Sequence, residues 1–123
     1  MKQLLLVFLG GGLGSMLRYW ISKSFNPYFS NFFLGTFLVN VLGSLLIGFI
    51  LGLSLKGDYL GQNQTLLLAT GFCGGFTTFS AFAFEKHTLL ISGAFPQFLL
   101  YLLASVIVGL LAVALGFWFT RWF

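Results

Sequence analysis

The chain has 123 residues, of which 59% are hydrophobic and only 7% charged, with a formal net charge of +4. A chain this apolar cannot bury its side chains inside a small soluble domain, whose surface-to-volume ratio is too high. The basic residues form no run, which excludes a nucleic-acid-binding surface.

One cysteine, Cys73, excludes an internal disulfide and a thiolate cluster. One histidine and two carboxylates leave no ligand set for a transition metal or a hydrolytic centre within one chain. No nucleophile–base pair, phosphate loop or metal-ligand spacing is present, so the chain does not read as an enzyme.

Four apolar segments, residues 4–22, 34–55, 65–91 and 95–119, are long enough to span membrane. A hydrocarbon core of about 30 Å needs about 20 residues of helix. They predict an all-α integral membrane protein with four transmembrane helices in a single domain over residues 1–123.

In the first span, Gly10 and Gly14, and likewise Gly11 and Ser15, stand at small-xxx-small spacing. Such residues let helices approach closely in lipid, where packing drives association. Met1-Lys2 before an apolar run looks like a signal peptide, but the glycines and Arg18-Tyr19 interrupt it. It continues at spanning length, which predicts a retained span. Arg18 lies a turn or more inside the span's end. It either snorkels to headgroups or sets a positive field near an aqueous vestibule.

The first loop, residues 23–33, holds the turn signal Asn26-Pro27. In the second span Thr36 and Asn40 are four residues apart and share a face. Gly43, Ser44, Gly48 and Gly52 add small positions. An asparagine near membrane mid-depth is costly unless its amide finds partners. Asn40 therefore serves either an interhelical hydrogen bond or a polar track continued by Thr36.

Residues 56–64 form a short polar loop without motif. The third segment exceeds one straight span and carries Gly71, Gly74 and Gly75 in its first half. Glycine weakens helix interiors, and two half-helices meeting at a break around residues 74–78 are expected. Such breaks expose carbonyls and helix ends to ions. Beyond it, Phe79 and Phe82 are three apart and share a helix face. Ring edges are positive and ring faces negative, so edges turned into a pore suit an anion. Core or lipid packing is the plainer use of the same pair.

Glu85 is the only carboxylate within a predicted span. Placed near the interfacial end, it is expected to pair with Lys86 or with Arg18 of a neighbour, and His87 to be interfacial. After the turn Ser92-Gly93-Ala94, the fourth span sets Tyr101, Ser105 and Gly109 at four-residue spacing. Trp118, Arg121 and Trp122 have the character of interfacial anchors.

Four spans put Lys2, Lys56 and Arg121 on one side and Arg18, Lys23 and Lys86 on the other. Orientation follows the Lys/Arg bias, and here there is none. The chain is thus expected to insert both ways and form an antiparallel, dual-topology homodimer. No internal repeat is evident, so inverted symmetry has to come from a second copy.

Within the spans the chain offers neutral donors: the Asn40 amide and the hydroxyls of Thr36, Thr77, Thr78, Ser80, Tyr101 and Ser105. With ring edges, these replace part of an anion's hydration shell without trapping the ion. The same hydroxyls and carbonyls could coordinate a cation. The residues define an ion pathway, with an anion favoured.

Three stretches carry a resemblance: GGGLGSMLRY at residues 10–19, GTFLVNVLGSLLIG at 35–48 and TGFCGGFTTFSAFAFE at 70–85. Together, in order and at full chain length, they resemble the fluoride channels of the Fluc (CrcB) family. The resemblance implies an antiparallel homodimer in the inner membrane, with two parallel pores exporting fluoride passively and conferring fluoride resistance. It implies Phe79 and Phe82 as the phenylalanine box and Asn40 as the pore-lining amide. Ser80, Tyr101, Ser105 and Thr36 would fall on the polar track. It also implies a structural sodium ion at the dimer axis, held by the carbonyls of Gly74 and Thr77. Arg18 would match the family arginine near the vestibule, and Glu85 its acid. The chain departs from the family pattern at Ala81 and Ala83, where relatives often carry Ser or Thr, and at Gly109, where some have a hydroxyl.

Two other classes share the gross features. A proton-coupled small multidrug exporter needs a carboxylate at membrane depth. The first span has none, and Glu85 is read near a span end. A non-transporting membrane assembly subunit would use the small-residue faces but leaves the cost of Asn40 unexplained.

Overall fold

The computed structural model describes residues 1–28 and 33–123. Residues 29–32 of the expected first loop lie outside that description. Among the described residues there are helices and turns and no strand. Four helical spans are long and apolar enough to cross a membrane: Lys2–Phe25, Leu34–Leu55, Gln62–Ile91 and Phe95–Trp122.

The first span extends past the predicted segment at both ends because Lys2, Gln3 and Lys23 continue a helix readily although they are polar. The third begins early for a similar reason. Gln62–Thr65 forms a polar opening turn, and the Gln64 side chain accepts from the Gly61 N–H at 2.9 Å. Leu66–Cys73 then runs as π-helix, followed by a helical turn over Gly74–Phe76. Thr77 is extended, with φ −86° and ψ 157°, and the next helix is Ser80–Ile91.

The first span packs on residues 66–76 of the third, and the second span packs along the fourth. Small residues set both distances. A Cβ on Gly10 would stand 3.0 Å from the Gly71 Cα, and one on Gly48 3.0 Å from the Val113 Cα. The small-residue spacing is thus a helix-contact device, as expected in lipid.

Ser80–Ile91 is joined to the fourth span by a tight turn, where Gly93 takes φ +76°. Only glycine adopts that angle without strain. Pro96 stands in the first turn of the following helix, where its missing N–H costs nothing. At the opposite end, Lys56 Nζ donates to the Thr120 carbonyl and the Tyr59 hydroxyl to the Phe123 carbonyl.

The buried core is thin. Val39, Leu89, Tyr101, Thr36 and Cys73 are its largest fully enclosed side chains. Outward, Phe8, Leu13, Ile91 and Leu110 are exposed. An apolar exterior over spans of this length suits lipid or another membrane chain better than water.

Candidate functional site

The site is built around the segment between Phe76 and Ser80. Asn40 Nδ2 donates to the Thr78 carbonyl at 3.0 Å, and its Oδ1 accepts from the Thr78 N–H at 2.8 Å. A part-buried backbone without helical partners must be satisfied from elsewhere, and this one amide supplies both halves. The Thr78 hydroxyl accepts from the Ala81 N–H at 3.2 Å, opening the next helix.

In a continuous helix the Thr78 N–H would donate to the Gly74 carbonyl, and the Ala81 N–H to the Thr77 carbonyl. Both donors are directed elsewhere, to Asn40 and to the Thr78 hydroxyl. The Gly74 and Thr77 carbonyls are left without their helical donors. Gly74 is exposed on the single chain. The neighbouring Gly75 carbonyl is occupied: Arg18 Nε donates to it at 3.0 Å and the Ser15 hydroxyl at 3.3 Å.

Beside this segment lies a cavity of about 380 Å³. It gathers Asn40, Gly74, Thr77, Phe79, Phe82 and Ser105 from three different spans. Ser105 Oγ is buried without a hydrogen-bond partner among the described residues, a donor left for something else. The Phe79 and Phe82 rings are 6.0 Å apart and tilted by 38°. Phe79 is 79% exposed on the single chain, whereas Phe82 is half-buried.

Next to the cavity is a second polar cluster. Phe82 lies 5.6 Å from the Tyr101 ring, whose hydroxyl donates to Glu85 Oε1 at 3.2 Å. The Thr36 hydroxyl donates to Glu85 Oε2 at 2.7 Å and accepts from Asn26 Nδ2 at 3.4 Å. Thr36, Glu85 and Tyr101 are all buried.

Six of the ten residues singled out from the sequence therefore line one cavity. Thr36 and Tyr101 belong to the Glu85 cluster, Ser80 is exposed with its hydroxyl 3.3 Å from that of Thr78, and Arg18 reaches the Gly75 carbonyl. Glu85 is enclosed, its oxygens held by Thr36 and Tyr101. Lys86, counted among the span-end charges, is only 6% exposed. Asn26 joins the cluster although its sequence signal was a turn. Nothing in spacing reveals such partners, which meet only when separate spans pack.

Among the described residues, four helices long and apolar enough to cross a membrane and an apolar exterior define a multi-pass membrane protein, with a cavity lined by the Asn40 amide, the Thr77 and Ser105 hydroxyls and the Phe79 and Phe82 rings. A family model described as CrcB-like protein, Camphor Resistance (CrcB), matches residues 5–117. The chain belongs to the CrcB family. It is 47% identical to a fluoride-specific ion channel FluC of Phocaeicola vulgatus, with 98% of this chain and 100% of the relative covered. A second protein of that name, from Azobacteroides pseudotrichonymphae, is 44% identical over 100% of this chain and 99% of its own length. A third, from Ignicoccus hospitalis, is 46% identical over 94% and 93%.

Proposed function

We propose that this chain is a fluoride channel of the cell membrane, carrying fluoride passively through the cavity beside residues 77–79. The observation that carries the reading is the cavity itself. It presents the Asn40 amide, the Ser105 hydroxyl, which has no hydrogen-bond partner among the described residues, and the rings of a phenylalanine pair in a membrane-spanning region. Neutral donors of this kind replace hydration without binding so tightly that the ion cannot leave. The full-length relatives named fluoride-specific ion channels agree with it. No observation favours an exporter or a non-transporting subunit.

Within this reading the third span works as a broken helix, and two copies meet as an antiparallel homodimer with two pores. The balanced Lys/Arg distribution and the exposed faces of Gly74 and Phe79 support the pairing. Phe79 and Phe82 flank the anion path, and Thr36, Ser80, Tyr101 and Ser105 extend its polar wall. Arg18 anchors the first span to the third and adds positive field.

The carbonyls of Gly74 and Thr77 suit a hard cation such as sodium, which takes oxygen ligands, because their helical donors are diverted. Among the described residues there is no group of His, Cys, Asp and Glu that could hold a transition metal. Bound sodium would supply a fixed positive charge between the two third spans.

Liposomes carrying purified protein test the function. Fluoride efflux well above that of empty liposomes is expected, and efflux equal to empty liposomes would refute it.

A further inference from the structure

Lys86 has an environment that the fluoride pathway does not yet explain. It follows Glu85 on the helix Ser80–Ile91 and is 94% enclosed, being 6% exposed. Its Nζ is buried and has no hydrogen-bond partner among the described residues. A lysine inside a membrane span is costly, and an unused ammonium there calls for a role.

The ammonium lies on two aromatic rings. Nζ is 2.9 Å from the Tyr101 ring centroid and 4.1 Å from that of Phe82. Lys86 and Phe82 are four residues apart on one helix, so they share a face. Phe82 also lines the cavity, and it is therefore the element common to the ion path and the charge.

We propose that Lys86 is a positioning and selectivity residue of the anion path, holding Phe82 edge-on and supplying the positive charge that draws fluoride past it. The inference rests on the reading of the cavity as the fluoride path. A cation is attracted to the negative face of a ring. With Lys86 holding one face of Phe82 and both faces negative, the positive edge is the part that suits an anion. The charge has a second effect. The adjacent Glu85, whose oxygens accept from Thr36 and Tyr101, would alone repel an anion from this end of the cavity. Lys86 offsets it in a region where low dielectric makes each charge count.

The role makes Lys86 a determinant of apparent fluoride affinity. Fixed charge beside an ion path raises local ion concentration there and matters most when the ion is scarce.

The test is fluoride efflux from liposomes as a function of fluoride concentration, for wild type, Lys86→Met, Lys86→Arg and Phe82→Ile. Dimer integrity is checked for each variant by size-exclusion chromatography. Lys86→Met is expected to raise the half-saturating fluoride concentration by about tenfold or more. Lys86→Arg is expected to stay close to wild type, since a guanidinium also stacks on aromatic faces. Wild-type half-saturation in Lys86→Met, with Phe82→Ile slow, overturns the role of Lys86 alone. Equal loss of maximal flux in both lysine variants at unchanged half-saturation also overturns it, leaving a packing role. Wild-type flux in Phe82→Ile removes the pathway itself.

Discussion

Asn40 and Thr78, 38 residues apart, are joined by two hydrogen bonds between one side-chain amide and one residue's backbone. The pairing closes the non-helical backbone after Phe76 while keeping Asn40 on the cavity wall. Asn40→Asp keeps the acceptor but loses the donor, and sets a carboxylate against the Thr78 carbonyl. A buried group left unsatisfied costs about 1–3 kcal/mol. The variant should fold with a lowered thermal midpoint, keep the proposed dimer and show strongly reduced fluoride flux. Normal flux with the dimer intact would take the amide off the path.

The Glu85 cluster predicts an asymmetry between two threonines. The Thr36 hydroxyl donates to a buried carboxylate at 2.7 Å, whereas that of Thr88 is exposed and bonds the Phe84 carbonyl. Hydrogen bonds to charged groups contribute about 1.5–3 kcal/mol, and exposed substitutions usually change stability by about 0.5 kcal/mol or less. Thr36→Val should therefore be the more destabilising in detergent unfolding. Similar midpoints for Thr36→Val and Thr88→Val would mean the carboxylate does not need this donor.

Two glycines of the fourth span should behave oppositely. A Cβ on Gly116 would stand 2.9 Å from the Phe49 nitrogen, and one on Gly109 3.9 Å from the Ser44 hydroxyl oxygen. Gly116→Ala should cost about 1–3 kcal/mol by overpacking. Gly109→Ala should be neutral or gain up to about 1 kcal/mol from helix propensity. Paired melting curves decide it; a stable Gly116→Ala would show that the second and fourth spans separate freely.

The diverted donors at Gly74 and Thr77 predict dependence on a small cation. Replacing sodium by N-methylglucamine during purification and assay should weaken the dimer and lower flux, and sodium should restore both. Unchanged dimer and flux without sodium would leave those carbonyls to another partner.

The four spans were legible because each is a long apolar run, and the helix contacts because Gly10 and Gly48 stand in small-residue spacings. Asn40, Phe79 and Phe82 could be singled out because a polar amide and a ring pair beside glycines are informative even alone. Their assembly was not legible. The π-helical run Leu66–Cys73 has no sequence signature, and it is packing against the first span that accommodates it. Lys86 shows the limit most clearly. In sequence it is one of three charges at a span end, but the folded chain encloses it between Phe82 and Tyr101. Burial of a long side chain depends on what the fourth span brings over it, and spacing along one helix does not report that.

On the proposed path, fluoride passes the edge of Phe82 in the cavity beside Asn40. Fluoride and chloride efflux from the same reconstituted liposomes, for wild type and Phe82→Ile, measures that passage. Rapid fluoride and little chloride efflux is expected in wild type, and fluoride efflux near the empty-liposome level in Phe82→Ile. Fluoride efflux in the variant equal to wild type would contradict it.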